Sequence, residues 1–206
     1  TVLVHPGAYS NNIYWQAKNI KIISTEGPDS TIIDGNIIDG YNHFWIGGVD
    51  RLAKLSGFTI MNSTYGGLDL GSGSDLELTN LIIKNNSGSD GGGITCHTAD
   101  PLITNTLIYN NSGSNTGGIY LSNSNPELIN VTIVNNTATG LAGTTPIGTG
   151  GAIGSWFSCH PKLTNCILWG NSPKEIQAYF VIGSDNFHGN TFTVNHSNIQ
   201  GGLEII

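Results

Sequence analysis

Apolar residues in this chain alternate with polar ones over three to five positions and then stop at Gly, Asn, Ser or Pro. A period of two over so short a run makes a strand, and its frequent interruption excludes helices of ordinary length. The runs also repeat. Four segments superimpose without gaps: DLELTNLIIKNN at 75–86, DPLITNTLIYNN at 100–111, NPELINVTIVNN at 125–136 and HPKLTNCILWGN at 160–171. They share an asparagine at Asn80, Asn105, Asn130 and Asn165, with steps of 25, 25 and 35 residues. A second track runs in phase as Gly-Gly-Leu at 66–68, Gly-Gly-Ile at 92–94 and 117–119, and Gly-Ala-Ile at 151–153. One insertion, at 139–150, accounts for the longer last step. Weaker copies lie at 55–63 and 194–202.

A unit of 25 residues holds three such strands. In the 117–136 unit they are predicted at 119–121, 127–129 and 131–134, with Asn130 at the corner between the last two. Stacking successive units at the inter-strand spacing of about 4.8 Å turns like positions into columns. Ile94, Ile119 and Ile153 form one column, and Leu78, Ile103, Leu128 and Leu163 another. Stacked side-chain amides can bond from coil to coil, so Asn80, Asn105, Asn130 and Asn165 are expected to form a structural ladder. The predicted fold is all-β, a right-handed parallel β-helix solenoid of seven to eight coils. A left-handed β-helix would need strict hexapeptides, a leucine-rich repeat a helix-length segment, and a propeller roughly 40 residues per blade. The organisation expected is a single β-helix domain over 1–206, with irregular coils at 1–54, regular coils at 55–138, the insertion at 139–150 and C-terminal coils at 151–206.

Composition agrees. Only 10% of the 206 residues are charged, and 29 glycines against seven prolines suit short strands and tight turns. Seven basic and fourteen acidic residues give a net charge of −7 with no basic stripe, so nucleic acid is not an expected partner. No apolar run approaches the roughly 18–20 residues that span a bilayer, so no membrane insertion is expected. The chain starts inside the apolar run Thr1-Val2-Leu3-Val4 and ends in Leu203-Glu204-Ile205-Ile206. Solenoids cap their ends, and bare strands suggest part of a larger protein or end-to-end contact with neighbouring β-helix subunits or domains. Cys96, Cys159 and Cys166 are an odd set and make no disulfide framework. Asn-x-Ser/Thr sequons begin at Asn62, Asn85, Asn110, Asn130, Asn135 and Asn195, as expected by chance in a chain so rich in these residues.

The stretches TVLVHPGAYSNNIYW and GPDSTIIDGN, together with the four Gly-Gly units, resemble the right-handed parallel β-helix proteins related to pectate lyases and pectin methylesterases. That resemblance implies the fold and a secreted or cell-surface location. It does not fix a function, because the same coil carries lyases, hydrolases, epimerases and adhesins. Enzymes of the family work on a sugar chain lying along one sheet. With Leu68, Ile94, Ile119 and Ile153 inward, alternation sends Asp69, Thr95, His97, Tyr120, Ser122 and Trp156 outward. Asp69, His97, Tyr120 and Trp156 are the candidate carbohydrate-binding residues, since aromatic faces stack on sugars and polar groups take hydroxyls. The insertion would overhang them.

Catalytic sets of the family are not matched. Its lyases pair calcium-holding carboxylates with a basic residue and its esterases use two aspartates and an arginine, whereas the single arginine here, Arg51, lies in an early coil. Asp34, Asp39 and Asp50 could gather near Arg51 but read as turn formers. Phe187-His188-Gly189 is not the Gly-His-Gly of polygalacturonases. Gly71-Ser72-Gly73-Ser74-Asp75 is similar to part of a calcium-binding nonapeptide but occurs once, so calcium is a weak candidate and no cofactor is expected. Cys96-His97 and Cys159-His160 do not make a metal site, because strand neighbours point to opposite faces and the two pairs lie about two coils, or roughly 10 Å, apart. The expectation is a noncatalytic extracellular module with a structural, adhesive or fibre-forming role, the alternative being a polysaccharide-binding or polysaccharide-degrading domain.

Overall fold

A computed structural model describes residues 1–36, 44–140, 150–178 and 189–202. Each turn of the chain lays one strand on each of three sheets, and every strand pair is parallel. The first sheet comprises Val2–Val4, Lys21–Ser24, Lys54–Ser56, Glu77–Thr79, Leu102–Thr104, Glu127–Ile129, Lys162–Thr164 and Thr193–Asn195. The second comprises Gly7–Tyr9, Thr31–Asp34, Thr59–Met61, Ile82–Lys84, Leu107–Tyr109, Thr132–Val134, Ile167–Trp169 and Asn198–Ile199. The third comprises Ile13–Gln16, Phe44–Gly47, Leu68–Leu70, Ile94–His97, Ile119–Ser122, Gly150–Trp156 and Lys174–Ala178. A small fourth sheet of Ser87–Gly88, Ser112–Gly113 and Thr137–Ala138 precedes the Gly-Gly corner. The coils ahead of Lys54 join the same three sheets as the regular repeats.

Register makes the core. Leu55, Leu78, Ile103, Leu128 and Leu163 stack down the first sheet, Ile60, Ile83, Ile108, Ile133 and Leu168 down the second, and Leu68, Ile94, Ile119 and Ile153 down the third. All are buried. Burying each such side chain contributes about 1.5–3 kcal/mol, a gain that only stacking secures because a lone coil exposes both flanks. Towards the first coil the apolar interior opens into a cavity lined by Val4, Ile13, Ile22, Ile33, Phe44 and Phe58.

Two asparagine ladders run along the axis. Asn80, Asn105, Asn130 and Asn165 turn the corner between the first and second sheets with φ of 52°, 48°, 57° and 55°, in the left-handed region that Asn tolerates better than most residues. Asn130 Nδ2 donates to Asn105 Oδ1 (3.1 Å) and Asn165 Nδ2 to Asn130 Oδ1 (2.5 Å), both at the surface. The second ladder is buried and was not foreseen. Its rungs are Asn86, Asn111, Asn136 and Asn171, each the second residue of an Asn-Asn or Gly-Asn pair. The first member of each pair, Asn85, Asn110, Asn135 or Gly170, has positive φ. That twist swings the following side chain into the coil. Asn86 donates both its backbone N–H and its Nδ2 to Asn111 Oδ1 (3.0 Å each), and Asn111 does the same to Asn136 Oδ1 (2.9 Å each). Asn136 continues to Asn171, and Asn171 ends on the buried Glu175 carboxylate. The Gly-Gly corner lies beside this ladder. A β-carbon at Gly93 would lie 2.7 Å from the backbone Gly118 O and 2.9 Å from Ile108 Cγ2, which favours glycine there, although the last of these corners carries Ala152 at the equivalent position.

Candidate functional site

The outward face of the third sheet carries two columns. Tyr14, Trp45, Asp69, Thr95, Tyr120, Gly154 and Gln177 are in continuous register, and His97, Ser122 and Trp156 form the second column two residues along. The four residues singled out from the sequence thus lie on one face, and two that sequence reasoning missed, Tyr14 and Trp45, extend it.

The aromatic members differ in access. Tyr14 is 66% exposed. Trp45 is half-buried because its indole lies flat on the sheet: a β-carbon at Gly47 would collide with the ring, and one at Gly71 would come within 3.0 Å of Cζ2. Two glycines one coil apart therefore make the bed on which the indole rests. Tyr120 and Trp156 point outward but are only 7% and 8% exposed. Their rings stack obliquely, with centroids 6.4 Å apart, and Tyr120 meets His97 edge-on at 5.6 Å. They buttress the histidine more than they offer an open surface. Burial accordingly pushes the Tyr120 hydroxyl up to about 12.

His97 sits at the end of Ile94–His97, and its partner arrives from the turn before that strand. Thr95 Oγ1 accepts the Gly91 N–H (3.0 Å), which folds residues 89–92 back over their own strand. Asn115, the matching residue of the next coil, fixes the turn from the other side by donating Nδ2 to Asp90 Oδ1 (2.8 Å). Asp90 Oδ2 is thereby held 3.4 Å from His97 Nε2. The hydrogen bond between them lowers the Asp90 pKa and raises that of His97, partial burial opposes both shifts, and the Asp69 charge adds to the rise at His97. Among the described residues, Asp69, Asp90 and His97 are the charged or chargeable groups of the strip apart from its tyrosines.

None of the seven basic residues reaches it. Lys21, Lys54 and Lys162 are on the first sheet, where Lys54 pairs with Glu77 (2.9 Å), and Lys84 is on the second, over the Tyr109 ring. Lys18 follows the first strand of the third sheet, and Lys174 opens its last strand, paired with Gly150 and not with the column that ends at Gln177. Arg51 is at the corner between the third and first sheets, donating to the Asp100 carbonyl (3.0 Å) in an open hollow lined also by Asp50, Leu52 and Asp75.

The remaining sequence candidates are placed as follows. Asp34 accepts from Asn62 Nδ2 (2.9 Å) on the second sheet, whereas Asp50 caps its own turn by accepting from the Leu52 N–H (2.8 Å), so the fold does not bring them together; Asp39 lies outside the described residues. In the calcium-like stretch Ser74 donates to Ile46 O and Asp75 accepts from the Asp100 N–H, both serving corners between coils. Cys96, Cys159 and Cys166 are buried free thiols whose pKa values burial raises. Most of the insertion, Phe187, His188 and the final Leu203-Glu204-Ile205-Ile206 also lie outside the described residues. Among the described residues no group of three or more His, Cys, Asp or Glu side chains gathers as a metal site.

Parallel strands laid once per turn on three sheets define a β-helix solenoid. The chain belongs to the family described as right handed beta helix region, whose model matches residues 7–205. No curated protein matches it. Among solved structures it is similar to the pectin methylesterase from Yersinia enterocolitica, with a TM-score of 0.53 and 9% identity over 99% of this chain and 86% of that one. At that identity the likeness is one of fold.

Proposed function

We propose that the chain is a noncatalytic extracellular module, at the cell surface or secreted, that adheres to polysaccharide along the outward face of its third sheet. The observation that carries this reading is the register of Tyr14, Trp45, Asp69 and Thr95 with His97 and Asp90 beside them. An indole bedded on glycine presents one broad face parallel to the sheet. A pyranose ring stacks its C–H face on such a surface, while carboxylate and imidazole groups take its hydroxyls. From Tyr14 to Asp69 the column spans two coil steps, about 10 Å at the spacing of parallel strands, so an extended chain can meet successive coils with successive sugar units. The fold relative named for pectin methyl ester supports a sugar polymer as the class of ligand. The reading is noncatalytic because the arginine that the family's esterases add to two aspartates has no counterpart on this face, Arg51 being at another corner.

Titration of intrinsic tryptophan fluorescence with soluble polysaccharides tests it. Saturable binding that Trp45→Ala weakens at least tenfold supports the reading; binding indifferent to Trp45→Ala, or release of product on incubation, overturns it.

A further inference from the structure

We infer that the strip is selective for an uncharged polysaccharide and rejects polyuronate chains. The inference rests on the strip being a polysaccharide site, and it goes against the acidic polymer that the fold relative would suggest.

The argument is one of charge placement. Asp69 stands in the central column next to Trp45, and Asp90 is held over His97 by Asn115 and the Gly91–Thr95 hydrogen bond. The Asp90 carboxylate is held by the side chains of Asn115 and His97, and Asp69 is fixed in the column by the register of its strand, so both negative charges stay beside the path of an incoming anion. A polyuronate brings one carboxylate per sugar, and wherever such a chain lies along the column at least one of them passes close to Asp69. The seven cations of the chain stand on other sheets, at a corner, after the first strand of the third sheet, or, for Lys174, at the start of its last strand, four coil steps from Asp69. Among the described residues His97 offers the strip's only positive charge, and Asp90 already neutralises it. Like charges brought close across an interface act against the wrong partner more than they help the right one. The indole of Trp45 and the ring of Tyr14, by contrast, favour the C–H faces of neutral sugars.

The test compares equal-length probes by isothermal titration: gluco-, xylo-, manno- and galacto-hexaoses against hexagalacturonate, at neutral pH, in about 10 mM and about 500 mM salt. One unscreened like-charge contact near a surface is worth about tenfold or more in affinity. The best uncharged hexaose should therefore bind about tenfold or more tightly than hexagalacturonate at low salt. Added salt should narrow that gap by screening while leaving the uncharged ligand nearly unaffected. Asp69→Asn should move the affinity ratio towards hexagalacturonate by about tenfold. Hexagalacturonate binding as tightly as the best uncharged probe, and depending on Trp45, would overturn the selectivity and leave the strip standing. Failure of every probe to bind would instead remove the strip itself. A preference for uncharged ligand that neither salt nor Asp69→Asn alters would mean that shape selects and that the charge argument is wrong.

Discussion

Replacing Asn111 with alanine cuts the buried ladder at its centre. The side chain makes four hydrogen bonds: Nδ2 donates to Ile83 O and Asn136 Oδ1, and Oδ1 accepts from the backbone N–H and the Nδ2 of Asn86. Asn111 is 1% exposed, so water does not replace the lost partners. The Asn86 N–H is then stranded, which costs about 1–3 kcal/mol, while the other bonds are worth about 0.5–1.5 kcal/mol each. Allowing for partial relaxation, Asn111→Ala should destabilise by about 3–5 kcal/mol and lower the melting temperature by roughly 10 °C for a chain of this size. Asn130→Ala is the matched control. Its ladder bonds are exposed and worth little, leaving chiefly the cost of about 1–2 kcal/mol for a left-handed residue other than glycine or asparagine. Asn130→Gly, which removes that strain, should be close to neutral. Thermal and urea melts followed by far-ultraviolet circular dichroism read all three. Equal losses for Asn111→Ala and Asn130→Ala, or a loss under about 1 kcal/mol for Asn111→Ala, would refute the claim that the buried ladder dominates.

Other consequences can be checked separately. Ser155 points into the core column between Leu121 and Ala178, fully buried and with no hydrogen-bond partner for its Oγ among the described residues, so Ser155→Ala should stabilise by about 1 kcal/mol in the same melts. Because Asp90 raises the His97 pKa, the imidazole should titrate by NMR above its ordinary 6.5, and Asp90→Asn should bring the midpoint down. The sign carries into stability. The His97 contribution is fully present below the unfolded histidine pKa and is lost as pH rises through the raised folded value. The Asp90 contribution is present above the unfolded carboxylate pKa and is lost as pH falls through its lowered one, so the pair supports the fold most between those limits. The three cysteines, buried and with raised pKa values, should react with a thiol reagent only as the chain unfolds; rapid labelling of the native protein would contradict their placement.

The inward columns were legible because core positions recur at fixed spacing with little freedom of residue type: Ile94, Ile119 and Ile153 can be read off the Gly-Gly track alone. The asparagines were harder. Asn105 and Asn111 both repeat with the coil, and periodicity does not separate a corner side chain that faces water from one that faces the core. The distinguishing signal was the Asn-Asn or Gly-Asn pair, whose first member takes positive φ and turns the second inward. In the strip, Asp69, His97, Tyr120 and Trp156 followed from strict alternation behind each Gly-Gly corner. Tyr14 and Trp45 did not, since their coils lack that corner and are separated by 31 residues where Trp45 and Asp69 are separated by 24. Asp90 was invisible for another reason: it enters the strip from a turn, through the Gly91–Thr95 hydrogen bond, and not from the strand pattern.

The four tryptophans make the most direct probe of the strip, because they report the core, the strip and the second sheet separately. Trp15 is buried in the core with its Nε1 on Lys18 O, Trp45 and Trp156 lie on the outward third sheet, and Trp169 is half exposed on the second. In a proton–nitrogen NMR titration with the tightest-binding uncharged hexaose, the indole N–H of Trp45 should move progressively to saturation while those of Trp15 and Trp169 stay fixed. A titration that moves Trp169 and leaves Trp45 in place would contradict the account and put the ligand on another sheet.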